Sequence, residues 1–437
     1  MIWTRMAACA VLASLLPGTA SAEAIYVPDD YPSVVQALDL ASAGDTVLVR
    51  PGIYTDTSDR IVLECTNLAT HRSCGFIRSG VSLIGLGGAE QTVLDVGETG
   101  DLITLSTLTI TPTGAEAIYL EGITITGGKY GIRAGCSEGP LKMVGCRIVQ
   151  NGNLPIVFGD IDLTMEDCVI ADNGPGEGGA GGVRNGAASD VELRRCTFAR
   201  NGNGGLQMIG ASRVVIDECS FLDHKSGRGV VLQNCPDVAI TNSIFSGNVH
   251  DNWNTNVSGA AILATLSHVT VESCVFRNDS SYVSHGGAIG TSGQSTHVTV
   301  ENSTFVGCYA TGLGAAFAGA GSVTFQKNVV VDCDGLSAVS SSFETPVTDC
   351  CLYWGNAQNF YQGNLLWAPS PTDLFVDPLF CDPATYDFTL ESGSPCLPEH
   401  SNGCGLIGAY GQGCGTVSVT PLSWGSLKNA YRGGTVR

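Results

Sequence analysis

Between residues 141 and 330 one short pattern recurs eight times. It runs through two apolar residues one position apart, two polar residues, a Cys, Ser or Asn, a gap, and a further apolar residue. The central position is Cys146, Cys168, Cys196, Cys219, Ser243, Cys274, Ser303 and Asn328. Five places earlier stand Leu141, Leu163, Val191, Val214, Val238, Val269, Val298 and Val323. Two places later stand Ile148, Ile170, Phe198, Phe221, Phe245, Phe276, Phe305 and Val330. Alternation with a period of two is a strand signal, and self-similarity at intervals of 22 to 31 residues denotes a solenoid. A third short apolar run follows in each repeat, at 204–208, 229–233, 260–264 and 287–290. Three strands per coil with no helix between them predict a parallel β-helix whose coils stack at about 4.8 Å.

Stacking turns equivalent positions into ladders. The five cysteines of the central position are then expected as an internal column of small buried hydrophobes. Five places beyond it lie Asn151, Asn173, Asn201, His224, Asn248, Asp279, Cys308 and Cys333. This second ladder is expected to bond side chain to side chain and to the turn backbone.

Residues 1–22, MIWTRMAACAVLASLLPGTASA, combine Arg5, an apolar run and a small-residue cleavage site, the pattern of a secretory signal peptide. No other segment approaches spanning length, so the chain is expected to be exported (secreted, cell-surface or periplasmic) rather than an integral membrane protein. Its 21 basic and 41 acidic residues give a net charge of −20. That balance disfavours nucleic acid and anionic membranes as partners and permits divalent cations. In an oxidising compartment, Cys65 with Cys74, and Cys381, Cys396, Cys404 and Cys414 among themselves, are the expected disulfide cysteines.

From Glu23, Pro32 with apolar Val34, Val35, Leu38 and Ala41 predicts one amphipathic helix laid over the open first coil. There follow Ala43-Gly44-Asp45-Thr46-Val47-Leu48-Val49 and Pro51-Gly52-Ile53-Tyr54, and near the other end Asp377-Pro378-Leu379-Phe380, Tyr386-Asp387-Phe388-Thr389-Leu390 and Gly393-Ser394-Pro395. These segments resemble the opening and closing of secreted, bacterial pectin lyase-like right-handed β-helix proteins. The resemblance implies an all-β, right-handed parallel β-helix, and it leaves function open, because that fold carries lyases, hydrolases, esterases, tail-spikes and adhesins. The expected organisation is a β-helix over 23–342 with an N-terminal cap at 23–54 and regular coils from about 118. A Cys-rich cap over the last coil, at 343–415, carries Trp354, Phe360, Tyr361, Trp367 and Phe375, and a tail takes up 416–437.

Coil length varies between the second ladder and the third strand, and these insertions all leave the coil at the same corner. Insertions gathered on one side of a repeat protein make a binding face. Three successive coils offer Asp223, His224, Lys225 and Arg228, then His250, Asp251 and Trp253, then Asp279, Tyr282 and His285. The expected partner is an extracellular glycan, contacted by His224, His250, Trp253 and Tyr282. In a lyase, Arg228 or Lys225 would take a proton beside a uronate carboxylate, with Asp223, Asp251 and Asp279 as candidate calcium ligands. In a hydrolase, Asp251 and Asp279 would act as the carboxylate pair. Ser284-His285-Gly286-Gly287 echoes the Gly-His-Gly of polygalacturonases, which adds His285, but their Asn-Thr-Asp and Arg-Ile-Lys elements and the Arg-x-Pro-x-x-Arg of pectate lyases have no counterpart. A structural or adhesive rod without an active site is the other class.

Overall fold

The computed structural model describes residues 22–414 except 65–66, 98–103, 112–114, 135–138, 175–181, 186–187, 203, 252–258, 284, 342–345 and 363–368, with backbone alone at 59–64, 67–72, 104–108, 111 and 361–362. The signal-peptide reading, the tail, Cys65, Trp253 and Trp367 lie outside the described residues.

The chain winds into a right-handed parallel solenoid of about 13 turns. Its three long sheets hold 13, 12 and 14 strands among the described residues. Each coil contributes one strand to each sheet in turn, as in Arg213–Asp217, Ser220–Leu222 and Arg228–Gln233. Register is unbroken across the repeats: Val214 pairs with Val238, Val238 with Val269, Val269 with Val298 and Val298 with Val323. A slip of one residue would turn every apolar side chain outward, so the alternation itself holds this register.

The central column is buried as expected, and its chemistry is plain. Each thiol or hydroxyl sits against the carbonyl two residues back: Cys168 Sγ on Glu166 O (3.3 Å), Cys219 Sγ on Asp217 O (3.3 Å), Ser243 Oγ on Thr241 O (2.7 Å), Cys274 Sγ on Glu272 O (3.2 Å) and Ser303 Oγ on Glu301 O (3.0 Å). The same side chains accept from the coil before, as Ser243 Oγ does from Cys219 N and Ser303 Oγ from Cys274 N. A small donor–acceptor closes the turn between the first and second sheets, so Cys and Ser interchange there. The residue just before it stands in the left-handed region in coil after coil, at Asp167, Arg195, Glu218, Asn242, Ser273, Asn302 and Lys327 (φ 47° to 55°). Outside glycine that conformation is uncommon and costly, and here it makes the sharp corner.

Two places beyond the column, Phe198, Phe221, Phe245, Phe276 and Phe305 stack along the axis with centroids 4.6–4.9 Å apart and planes within 8°. The coil spacing sets that offset-stacked geometry, one of the two favoured for aromatic pairs. The third strand must start close to these rings. A Cβ on Gly205 would lie 2.6 Å from Gly229 O, 2.7 Å from Phe221 Cδ1 and 2.9 Å from His224 Nε2. Gly205→Ala is therefore expected to cost about 1–3 kcal/mol through overpacking, read as a lower urea midpoint. An unchanged midpoint would show that the neighbouring coil yields freely.

The N-terminal helix is Val34–Leu40; Ser33 Oγ caps it by accepting from Gln36 N at 3.2 Å, and Val34, Ala37 and Leu38 are buried. It is small, and the first strands Ala24–Val27 and Thr46–Val49 already pair in the first sheet. Early in the chain, strands Ser58–Glu64 and Asn67–Ser73 pair antiparallel at the edge of the third sheet.

At the C-terminus, Leu374 extends the second sheet past Leu352–Trp354, through Leu374 N to Cys351 O at 2.7 Å and Tyr353 N to Leu374 O at 2.9 Å. The Cys-rich segment then does more than close the last coil. It folds back along the outer face of the second sheet, where Gly408 N reaches Lys327 O at 2.8 Å and Ala409 N reaches Thr304 Oγ1 at 2.9 Å. Leu390, Leu397 and Ile407 pack on Val329, Val331 and Leu352. Arg277, whose guanidinium carbon lies 3.9 Å from the Tyr386 ring centroid, pins it one coil further back.

The disulfides depart from the sequence expectation. Cys381 pairs with Cys414, but Cys404 pairs with Cys350, which the sequence reading left out. Cys396 is a buried free thiol, and Cys74 is also free and buried rather than bonded to Cys65. The fold-back brings positions 54 residues apart into contact, and proximity along the chain does not foresee that.

Candidate functional site

The corner between the second and third sheets is built on the second ladder. Asn173 N donates to Asn201 Oδ1 at 3.1 Å, and Asn173 Nδ2 to the same oxygen at 2.9 Å and to Ile148 O at 2.9 Å. Asn248 N and Nδ2 donate to Asp279 Oδ1 at 3.0 and 2.8 Å, and Nδ2 also to Phe221 O at 3.0 Å. Every rung is fully or almost fully buried. Beyond the ladder the lengthened coils pair again: Val249–His250, Ser280–Ser281 and Tyr309–Ala310 form a short parallel sheet on the corner.

This arrangement withdraws two candidates from the surface. His224 is a buried rung whose Nδ1 accepts from Asn201 N at 3.1 Å. Burial pushes its imidazole down to about 3, so it stays neutral. Asp279 is likewise completely buried, and burial pushes its carboxyl up to about 7 against the bonds from Asn248. Its Oδ2 makes no hydrogen bond. Neither group can meet a polymer outside, so His224 contacts no substrate, and Asp279 serves neither as half of a carboxylate pair nor as a calcium ligand. Among the described residues no group of three or more His, Cys, Asp or Glu side chains is placed to hold a metal ion, and Asp223, Asp251 and Asp279 form no such group.

What remains is a compact surface. Arg228 opens a third-sheet strand, and its guanidinium Nη2 lies 2.8 Å from His250 Nε2. Burial lowers the Arg228 pKa to about 10. Burial and then the Arg228 charge lower His250 to about 4, with Asp251 opposing, so His250 is the neutral acceptor of that bond. Asp251 is exposed and accepts from Ser226 Oγ at 3.1 Å, and Lys225 is exposed beside them. One coil on, Tyr282 N donates to His250 O at 2.9 Å, and Tyr282 is 49% exposed. The next coil brings Tyr309, whose ring centroid lies 5.4 Å from that of Tyr282. His285 is exposed at the same corner, its Nδ1 accepting from Leu313 N at 2.8 Å, and burial lowers its pKa.

Tyr309 is the residue that sequence reasoning passed over. Its signal was available, since it occupies in its coil the place after the ladder that Ser280 holds one coil earlier. Four successive coils thus line up a guanidinium, an imidazole, a carboxylate and two tyrosine rings within about three coil spacings, or about 14 Å.

A family model described as a right handed beta helix region matches residues 106–276 and 182–352, which together cover more than half of the chain. No curated protein matches the chain in sequence. Among solved structures, the chain is similar to the A-module of the Azotobacter vinelandii mannuronan C-5 epimerase AlgE6. The two are 15% identical over 79% of this chain and 93% of that one, with a TM-score of 0.44. It is also similar to pectate lyase Pel9A, at 14% identity over 91% of this chain and 98% of that one, with a TM-score of 0.43. By the repeat pattern, the unbroken three-sheet register and the family match, this chain belongs to the right-handed β-helix family.

Proposed function

We propose that this chain is an exported protein that grips an acidic extracellular polysaccharide along the corner between its second and third sheets. The observation that carries the proposal is the run Arg228, His250, Tyr282, Tyr309 on consecutive coils. A half-buried guanidinium suits a uronate carboxylate, and the exposed Tyr282 beside the partly buried Tyr309 suits the apolar faces of sugar rings. The two disulfides among the described residues fit an oxidising compartment. Among the described residues no helix is long and apolar enough to cross a membrane.

The choice among chemistries narrows here. Hydrolysis needs two carboxylates facing one bond, and Asp279 is locked in the ladder away from Asp251's exposed surface. Elimination retains one supporting observation, the Arg228 pKa lowered by burial. A base there would take the proton beside the uronate carboxylate; the C–O bond to the leaving sugar breaks, a C=C bond forms, and the leaving oxygen gains a proton. Binding is the primary reading, and lyase chemistry the second.

Titrating the mature protein with pectate and alginate fragments tests both. Tyr282→Ala is expected to weaken binding by about tenfold, the upper end of one aromatic contact, and Arg228→Ala by more. Binding that neither variant changes would move the contact surface elsewhere. Ultraviolet absorbance of an unsaturated uronate, present with the native chain and lost with Arg228→Ala, would establish elimination at this corner.

A further inference from the structure

The outer face of the first sheet, away from the corner, carries a second constellation. His268 and His297 begin neighbouring strands, His268–Glu272 and His297–Glu301, and are paired in register. Both imidazoles are exposed, with centroids 4.6 Å apart and planes at 80°. His297 Nδ1 lies 3.1 Å from Ser295 O. A carbonyl only accepts, so that nitrogen carries a proton, and in the neutral ring Nε2 keeps its lone pair. This is the way a hydrogen bond to one ring nitrogen readies the other for a metal.

We propose that His268 and His297 form a two-imidazole chelate for a divalent transition-metal ion of the copper or nickel class. With metal–nitrogen bonds of about 2.0–2.1 Å, two imidazoles bound at about 90° hold their centroids about 4.5 Å apart, while a tetrahedral pair holds them about 5.2 Å apart. The observed 4.6 Å matches the first arrangement, which belongs to the square-planar and tetragonal sites of copper and nickel. The two rings ride on a rigid, fully paired sheet, so little ordering is left for the metal to impose. Asp237 stands one coil before His268 in the same column, since Val238 pairs with Val269, and it is exposed. Its carboxylate is paired with Arg213, whose Nε lies 3.7 Å away, so the general attraction for a cation comes from the net charge of −20. Water takes the remaining coordination positions.

The experiment is an isothermal titration of tag-free, full-length protein with copper(II) and nickel(II) chlorides at neutral pH, with electron paramagnetic resonance of the copper sample. One saturable equivalent of micromolar affinity is expected, with resonance splitting from two nitrogens. His268→Ala and His297→Ala should each weaken it by about tenfold or more, because either change removes the chelate. Both rings are exposed, so the melting temperatures of the metal-free variants should match the parent. His400→Ala should leave binding intact. The proposal is overturned by the absence of a saturable equivalent, or by equal binding in the parent and in both the His268→Ala and His297→Ala variants.

Discussion

Asp279→Asn is expected to stabilise the protein by about 3–4 kcal/mol at pH 8 and by almost nothing near pH 4. The reason lies in the ladder. Asn173, Asn201 and Asn248 each send Nδ2 to a carbonyl of the preceding coil: Ile148, Ile170 and Phe221. By coil register the counterpart for residue 279 is Phe245 O. A carboxylate offers that carbonyl no proton, and its Oδ2 is buried without a hydrogen bond. The folded protein therefore holds the carboxyl neutral up to about pH 7, whereas the unfolded chain ionises near pH 4. Between those values the native state binds the extra proton, so stability falls as pH rises, by about 1.4 kcal/mol per unit. The amide removes the slope by supplying the missing donor. Urea midpoints at pH 4.5 and pH 8 check this, and a gain equal at both pH values would refute the protonated-rung account. His224, with its pKa down near 3, acts in the opposite sense and erodes stability as pH falls below the ordinary imidazole range.

Phe245→Ala should cost about 3–5 kcal/mol, the usual range for deleting a fully buried ring. Phe245 is the central ring of the five-membered stack and meets a partner on both faces, at 4.9 Å each. The rings on either side belong to rigid, registered strands and cannot close the gap without moving two coils. Because each coil contacts only its neighbours, the damage should stay local. Amide exchange is expected to accelerate over the strands holding Phe221 and Phe276 and to remain slow at the N-terminal helix. A loss below about 1 kcal/mol would mean that the stack is ornament to a core held by its aliphatic residues.

Most of the fold could be read from the residues themselves. The Cys/Ser column, the phenylalanine stack and the Asn ladder occupy the places the repeat assigned, because strand alternation and axial stacking are both local rules repeated many times. The corner was legible as a place but not as a site. His224 and Asp279 were aligned with the asparagines, yet their chemistry drew them into a surface reading. Only the closed coil shows that a rung is sealed from water, so that a histidine and an aspartate there are structural and neutral. The pairing of Cys350 with Cys404 escaped for a related reason: it depends on a segment that reverses along the second sheet's outer face.

What the sequence by itself determined, then, is the coil: its three strands, its two inward ladders and the corner where its length is free to change. Those follow from period-two alternation and from the demand that every buried backbone group meet a partner in the next coil. Tertiary structure alone decided which polar residues of that corner face water, which thiols pair, and where two histidines come together on the opposite flank. Each of these depends on distances between coils tens of residues apart, and burial and proximity are properties of the assembled rod that no single repeat contains.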